Sequence, residues 1–216
     1  FPYTTLFRSM LVALAGLALL PVAQAATVEE SVAELQQAWE VINYKTPAAE
    51  KEKKLEALAA RARKVSESFA GRPEPLVWEG IILSSWGGAK GGLGALGLVK
   101  QAKVLYEQAI QIDGNALDGS AYNSLGVLYY KVPGWPIGFG DKAKARDLLQ
   151  KALAINPKGI DANYFFADYL VETGDAPKAV AYLEKVMQAA PRAGRQIADE
   201  GRRGEARELM EKIKSK

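Results

Sequence analysis

The chain of 216 residues contains no cysteine and no histidine. These two absences exclude zinc fingers, iron–sulfur clusters and haems that are ligated by either residue, and they exclude Ser–His–Asp and Cys–His catalysis. Long basic runs are missing too, and a net charge of +3 is too small to indicate nucleic acid as the partner. What is present, 49% hydrophobic and 25% charged residues, is the composition of a folded globular protein.

Residues 1–9 read FPYTTLFRS and contain no initiator methionine. Their back-translation, TTT CCC TAC ACG ACG CTC TTC CGA TCT, looks like a common sequencing adapter read in frame. We therefore expect this segment to be foreign to the gene, and a genuine N-terminal tail is the alternative.

Residues 10–25 resemble the end of a signal peptide. An uncharged apolar run, Met10 to Leu20, is followed by Pro21 and by the small residues Ala23 and Ala25. The run is shorter than the roughly 20 residues that a membrane span requires, and its ending fits an Ala-x-Ala cleavage site before Ala26. We expect residues 26–216 to form one domain that is periplasmic or secreted, with no stable membrane insertion after cleavage.

The first part of that domain, residues 26–71, has helical periodicity. Its apolar residues recur every three or four positions: Val28, Val32, Leu35, Ala38, Trp39 and Ile42, then Leu55, Leu58, Ala59, Ala62 and Val65. This spacing predicts a helical hairpin, in which Pro47 lies in the first turn of the second helix and Gly71 ends it. No convincing alternation of β-branched residues occurs elsewhere, so the fold class is all-α.

Residues 119–157 and 160–193 are internal repeats. The first contains Tyr122-x2-Leu125-Gly126-x2-Tyr129, then Ala145-x3-Leu149 and Pro157; the second keeps Ala179-x3-Leu183 and Pro191. Pro157 and Pro191 are 34 residues apart, the period of the tetratricopeptide repeat. Gly126, Ala145 and Ala179 are expected where paired helices approach closely, and Asp141 and Asp175 are expected to cap the helices after Gly140 and Gly174.

Residues 75–114 are a weaker copy, in which Ala102-x3-Tyr106 marks the second helix. Residues 197–216 form a charged amphipathic segment that is typical of a capping helix. Together these patterns predict a tetratricopeptide-type solenoid of about three to four helical hairpins with a C-terminal cap.

Two connections depart from a plain repeat. Tyr129 to Ala145 spans 16 residues against 9 for Leu170 to Ala179, which places a seven-residue insertion within residues 131–140. Residues 84–98 contain six glycines, which predicts a long glycine-rich turn beside the insertion. Trp135 and Phe139 of the insertion either face a partner or fold back and fill the glycine-rich turn, and these alternatives have equal weight.

The concave groove of the array is the other candidate surface. By helical spacing it is faced by Asn123, Val127, Tyr130 and Lys131 from one repeat and by Tyr164, Asp168 and Val171 from the next. Such a groove either binds an extended peptide or is solvated without a ligand. The Lys/Asn/Arg clamp of chaperone-binding tetratricopeptide domains is absent, which disfavours a peptide with a C-terminal carboxylate.

The chain resembles exported bacterial tetratricopeptide-repeat proteins. GGLGALGLVKQA (91–102), LDGSAYNSLGVLYYKVPGWPIGFGDK (117–142) and GIDANYFFADYL (159–170) carry a resemblance to one group of unassigned role. A looser similarity is to the T-component of tripartite ATP-independent periplasmic transporters. That similarity implies the handing of a small ligand to a solute-binding protein.

These observations support a non-catalytic periplasmic scaffold that binds another protein and uses no cofactor or metal. The sequence does not decide whether the protein forms a homo-oligomer. The alternative is a ligand-handling accessory of a transport or envelope-assembly system. An enzyme is disfavoured, because the acidic residues, Asp161 and Asp168 included, fit solvated helix faces. The candidate partner-binding residues are Asn123, Tyr130, Lys131, Tyr164, Asp168, Trp135 and Phe139.

Overall fold

The computed structural model describes residues 26–215. The adapter-like segment 1–9 and the leader-like segment 10–25 lie outside the described residues, as does Lys216. The foreign N-terminus, the signal peptide and its cleavage before Ala26 therefore stay predictions.

Residues 26–215 form an all-α structure without a strand. Its helices are α1 Val28–Lys45, α2 Ala48–Ser68, α3 Pro73–Lys90, α4 Gly92–Asp113, α5 Ala116–Lys131, α6 Lys142–Ile155, α7 Ile160–Glu172, α8 Ala176–Gln188 and α9 Gln196–Lys214. Helices α1 to α8 pair as four hairpins, and α9 follows them. The predicted fold class, a tetratricopeptide-type helical solenoid, is confirmed. No helix within residues 26–215 combines the length and the apolarity that crossing a membrane requires.

The predicted N-terminal hairpin is present, and its first helix begins with a capping box. Thr27 Oγ1 accepts a hydrogen bond from Glu30 N, and Glu30 Oε2 accepts one from Thr27 N. Two of the backbone donors that a helix start leaves unpaired are thereby satisfied. The predicted apolar stripe of α1 is buried, and Glu40 is buried beside it, which the periodicity did not predict.

Small residues let the paired helices of a hairpin approach. A Cβ atom on Gly126 of α5 would lie 2.8 Å from Leu149 Cγ of α6. Ala145 of α6 and Ala179 of α8 are fully buried, as the repeat pattern predicts. The positions where paired helices approach most closely are therefore occupied by small residues, because larger side chains would keep the helices apart.

The predicted glycine-rich turn over residues 84–98 is wrong. Helix α3 continues to Lys90 and α4 begins at Gly92, so the connection is the single residue Gly91, with φ of 65° and ψ of −179°. Helical packing overrides the poor helix propensity of glycine here, because Gly80 lies against the Tyr106 ring and Gly87 lies against Val99. The insertion within residues 131–140 therefore has no long glycine-rich turn beside it that its aromatic residues could fill.

The insertion between α5 and α6 is confirmed as a loop. It covers residues 132–141 in the structure and is called the inserted loop below. Asp141 caps α6 as predicted, accepting hydrogen bonds from Ala143 N and Lys144 N. Asp175 does not cap α8 with its side chain, since its carboxylate instead pairs with Lys178 Nζ at 2.6 Å.

The hairpins stack so that their first helices form an inner layer. Helix α3 contacts α1 and α5, and α7 contacts α5. Within the described residues, the second helices α2, α4, α6 and α8 do not approach one another as closely. The inner layer is therefore the concave side, as expected for stacked helical hairpins.

Helix α9 does more than cap the last hairpin. It contacts α8, α7 and α1, and its residues Ala206 and Leu209 are buried. A Cβ atom on Gly201 would collide with the Tyr44 ring of α1. The prediction of a simple terminal cap is therefore incomplete, because α9 lies across the concave side and joins the last repeat to the first helix.

Candidate functional site

A cavity of about 420 Å³ lies between the inner helices and α9, and it is called the central cavity below. Among the residues that line it are Trp39 of α1, Trp78 of α3, Tyr106 of α4, Asn123 of α5, Phe165 of α7 and Arg202 of α9. Its volume lies in the range of about 300–1,000 Å³ that is usual for small-molecule sites. The concave groove predicted from the repeats is therefore a partly open cavity, with α9 forming one of its walls.

Aromatic rings form much of the inner wall. Trp39 and Trp78 meet edge to face, with ring centroids 5.8 Å apart. Trp39 Nε1 donates to Ser85 Oγ at 2.8 Å, and the Tyr106 hydroxyl lies 3.1 Å from Ser84 Oγ. The polar ends of Trp39 and Tyr106 are therefore satisfied, which leaves their ring surfaces to form apolar wall.

An ion-pair cluster holds α7 to the segment around the start of α9. Asp161 accepts hydrogen bonds from Arg192 Nη1 at 2.7 Å and Arg202 Nε at 2.8 Å, while Arg192 also bonds Asp199. Burial alone would raise the pKa of Asp161, but the two guanidinium groups outweigh it and hold that pKa below its usual range. The prediction that Asp161 lies on a solvated face is therefore wrong.

Arg202 is the most enclosed cation of the cluster. Its guanidinium carbon lies 4.5 Å from the Tyr164 ring centroid and 4.4 Å from that of Phe165. Burial opposes its charge, yet Asp161 and the neighbouring acidic groups raise its pKa above the usual value. Arg202 is thus bonded to two carboxylates, Asp161 and Glu205, and lies against two aromatic faces.

Arg195 differs from these two arginines. Its Nε donates to Glu40 Oε2 over a long 3.3 Å, and its guanidinium lies over the Trp78 ring at 5.1 Å. Its terminal Nη1 and Nη2 groups make no hydrogen bond to any residue between 26 and 215. Burial lowers the pKa of Arg195, and nearby Arg192 lowers it further, so the positive charge at Arg195 is incompletely compensated.

Asn123, a predicted groove residue, lines the central cavity and is 6% exposed. Its Oδ1 atom is buried and has no hydrogen-bond partner among the described residues. A buried polar atom without a partner costs about 1–3 kcal/mol. Asn123 therefore contributes to the cavity wall a carboxamide whose buried oxygen has no partner among the described residues.

The backbone beside Asn123 is strained. Leu117, Asp118 and Gly119 lie consecutively in the left-handed region, with φ of 49°, 56° and 75°, and the first two line the cavity. Such conformations cost about 1–3 kcal/mol each for residues other than glycine and are frequent at binding sites.

Three other predicted groove residues satisfy one another. The Tyr130 hydroxyl donates to Asp168 Oδ2 at 2.7 Å, and Lys131 Nζ lies 2.9 Å from that oxygen and 3.0 Å from Glu172 Oε1. Burial, together with the Asp168 carboxylate, raises the pKa of Tyr130 well above its usual value. These residues join α5 to α7, while Tyr164 packs against Arg202 and is half-buried.

The inserted loop separates its two aromatic residues. Phe139 packs edge to face on Tyr129, with centroids 5.6 Å apart, and Lys103 of α4 lies over its ring. Trp135 is 90% exposed and Ile137 is 59% exposed. The alternative in which both rings fold back is wrong for Trp135, and the one in which both are presented is wrong for Phe139.

Sequence reasoning missed Arg192, Arg195, Arg202 and Glu40, because their charges suited solvated helix faces. One signal pointed to them: Gly201 interrupts an otherwise strong helix-forming segment, and an isolated helical glycine often marks close packing. Within residues 26–215 no cluster of acidic side chains could hold a metal ion.

Comparison with known proteins supports the repeat assignment. Residues 137–199 match the tetratricopeptide repeat family model. The chain is similar to the crystal structure of yeast Tom70, with 17% identity, 88% of this chain and 44% of that chain covered, and a TM-score of 0.46. The chain thus spans less than half the length of that protein. No curated protein sequence matches this chain.

Stacked repeats of this kind build concave surfaces that bind other proteins, and they are typically non-catalytic. The family match covers residues 137–199, and the helical hairpins of residues 26–215 have the arrangement of stacked helical repeats.

Proposed function

We propose that the protein is a non-catalytic, exported scaffold that binds another protein through the inserted loop. The observation that carries this proposal is the exposure of Trp135, at 90%, beside exposed Ile137. Aromatic side chains that protrude from a structured surface are the usual anchors of protein interfaces.

The loop that presents Trp135 is held in place. Gly140 N donates to Pro133 O at 2.9 Å, and Asp141 N donates to Tyr129 O at 2.8 Å. Phe139 is fixed on Tyr129. A partner would therefore meet a preorganised loop, which lowers the entropy cost of binding.

The concave side is a weaker candidate for a protein partner. Helix α9 lies across it, and Tyr130 and Asp168 are already bonded to each other. Of the predicted groove residues Tyr130, Lys131 and Asp168, only Lys131 is exposed, and its ammonium group is paired with two carboxylates.

Export is part of the proposal and is supported by the sequence of residues 10–25, with its apolar run and Ala-x-Ala ending. The N-terminus of protein recovered from the periplasm, measured by mass spectrometry, should be Ala26. An N-terminus upstream of Ala26 in exported material would contradict it.

Affinity capture from envelope extract tests the scaffold, with unaltered protein, Trp135→Ala and Leu93→Ala as baits. Leu93 is 81% exposed on α4 and serves as the matched control. We expect one partner in stoichiometric amount, retained by Leu93→Ala and lost by Trp135→Ala with unchanged thermal stability. Equal recovery by both variants would overturn the loop as the interface. Light scattering of the purified protein identifies the case in which the partner is a second copy.

A second candidate function, a ligand-handling accessory of a transport or envelope-assembly system, is favoured by one observation. The central cavity is large enough for a small molecule and contains the unpartnered Oδ1 atom of Asn123. The two functions use different surfaces, so both can operate in one protein.

A further inference from the structure

We propose that the central cavity binds a small organic anion with a flat aromatic body, which is held by Arg195 and Asn123. This inference rests on the second candidate function and is independent of the inserted loop. The site is built by residues from the first helix to the last, and it exists because α9 closes the concave side.

The unused N–H donors of Arg195 indicate that the ligand carries an anionic group. A guanidinium has five N–H donors, and within residues 26–215 that of Arg195 uses only Nε, toward Glu40. Arg192 and Arg202 are each bonded to Asp161, with a second carboxylate on each. Among the arginines that line the cavity, Arg195 therefore has the most donors left and only one carboxylate partner among the described residues, which leaves it for a sulfonate, carboxylate or phosphate.

The acidic groups around Arg195 do not cancel this preference. Asp161 faces the cavity but is neutralised by two guanidinium groups, and Asp118 is exposed. Glu40, which is buried, also accepts a hydrogen bond from Ala198 N at 3.2 Å, so its charge is shared with the start of α9. An anion bound at Arg195 would supply the compensation that the fold leaves incomplete.

The aromatic residues that line the cavity indicate that the ligand has a flat aromatic part. Trp39, Trp78 and Phe165 line the cavity, and the two tryptophan rings form a corner with an interplanar angle of 69°. A flat ligand ring can stack on one of them and meet the edge of the other. Such a ligand would gain free energy by burying its apolar surface against these rings.

Asn123 indicates that the ligand also carries a neutral polar group. Its Oδ1 atom lacks a donor among the described residues, and a carboxamide can accept or donate after rotating its amide. A ligand with a polar N–H or O–H group beside its aromatic ring would satisfy it. The site therefore combines one charged contact, one neutral polar contact and an aromatic slot.

The test compares two fluorescent probes that differ in a single group. 1-Anilinonaphthalene-8-sulfonate has the aromatic body, an N–H and a sulfonate, whereas N-phenyl-1-naphthylamine lacks the sulfonate. With the unaltered full chain, we expect the sulfonate to bind at one saturable site and about tenfold more tightly than the neutral probe, since one charge-assisted contact has about that worth. Equal affinities, or binding without saturation, would overturn the proposal.

Two variants locate the binding. Arg195→Gln should weaken the sulfonate probe about tenfold and leave the neutral probe unchanged. Arg207→Gln changes an exposed arginine of α9, the helix that Arg195 precedes, and should change neither. If Arg195→Gln disturbs the fold, the probe comparison on unaltered protein still decides the proposal. Failure here leaves the Trp135-dependent capture unaffected, and failure of that capture leaves this result unaffected.

Discussion

At the scale of single residues, buried charges and small side chains fix which helices can meet. Asp161 bonds Arg192 and Arg202 and so holds α7 to the segment that leads into α9. Asp161 and Arg192 are about a third exposed and Arg202 is buried, so removing one member leaves partly buried charges uncompensated. Gly126 acts by size instead, since it leaves room for Leu149.

The substitution Asp161→Asn should lower the free energy of unfolding by about 1–3 kcal/mol at pH 7, because two guanidinium groups lose their carboxylate. The folded-state pKa of Asp161 is lowered, so its contribution is complete above the unfolded pKa of about 3.9 and is lost as pH falls below it. The difference between the unaltered protein and the variant should therefore shrink below about pH 4 in urea unfolding.

Asp147→Asn, at an exposed aspartate of α6, is the control for that experiment. It should change stability by no more than about 0.5 kcal/mol. A deficit for Asp161→Asn that grows toward low pH would show that the carboxylate is not stabilised by the arginines.

At the scale of elements, periodicity and repeat spacing predict most helices, and the errors occur where packing contradicts local preference. Glycine disfavours helix by about 1 kcal/mol per residue, so residues 84–98 read as a turn. The structure keeps them helical because Gly80 and Gly87 lie against side chains of α4. The repeat register from Tyr122 to Pro157 can be predicted because it depends on the spacing of residues that are close in sequence. The contact of α9 with α1 cannot be predicted in this way, because it joins distant segments and produces no periodic pattern in the sequence.

Gly91 and Gly97 provide a matched pair for the α3–α4 connection. Both lie in open space, but Gly91 has φ of 65° and ψ of −179°, a conformation that side chains strongly disfavour. Gly91→Ala should cost about 1–3 kcal/mol, whereas Gly97→Ala, within α4, should gain up to about 1 kcal/mol.

Thermal and urea unfolding of the two variants measure these changes. Equal effects of the same sign would show that the two helices continue across Gly91 or that the turn includes Gly97.

At the scale of the whole molecule, α9 changes an open array into a closed one. In an open array each repeat contacts only its neighbours and the ends fray independently. Here Glu40 of α1 bonds Arg195 and Ala198 at the start of α9. The candidate site depends on this closure, and the sequence could not predict it because Glu40 resembles any exposed helical glutamate.

Gly201→Ala tests the closure directly. The added methyl group would collide with the Tyr44 ring, so we expect a loss of about 1–3 kcal/mol. Hydrogen exchange should accelerate in the second half of α1 and the first half of α9, with α6 unchanged.

Gly204→Ala is the control, since its Cβ would meet only the end of the flexible Arg207 side chain at 4.0 Å. Faster exchange spread evenly over all helices of Gly201→Ala would contradict a local closing contact.

The distance along the chain between Glu40 and α9 has a consequence for the order of folding. Hairpin contacts form between neighbouring segments, but the Glu40–Arg195 and Glu40–Ala198 bonds join residues 155 and 158 positions apart. Contacts of such separation carry the largest loop-closure entropy and form late. We therefore expect the central cavity to be completed late in folding, after α9 has been synthesised and has met α1.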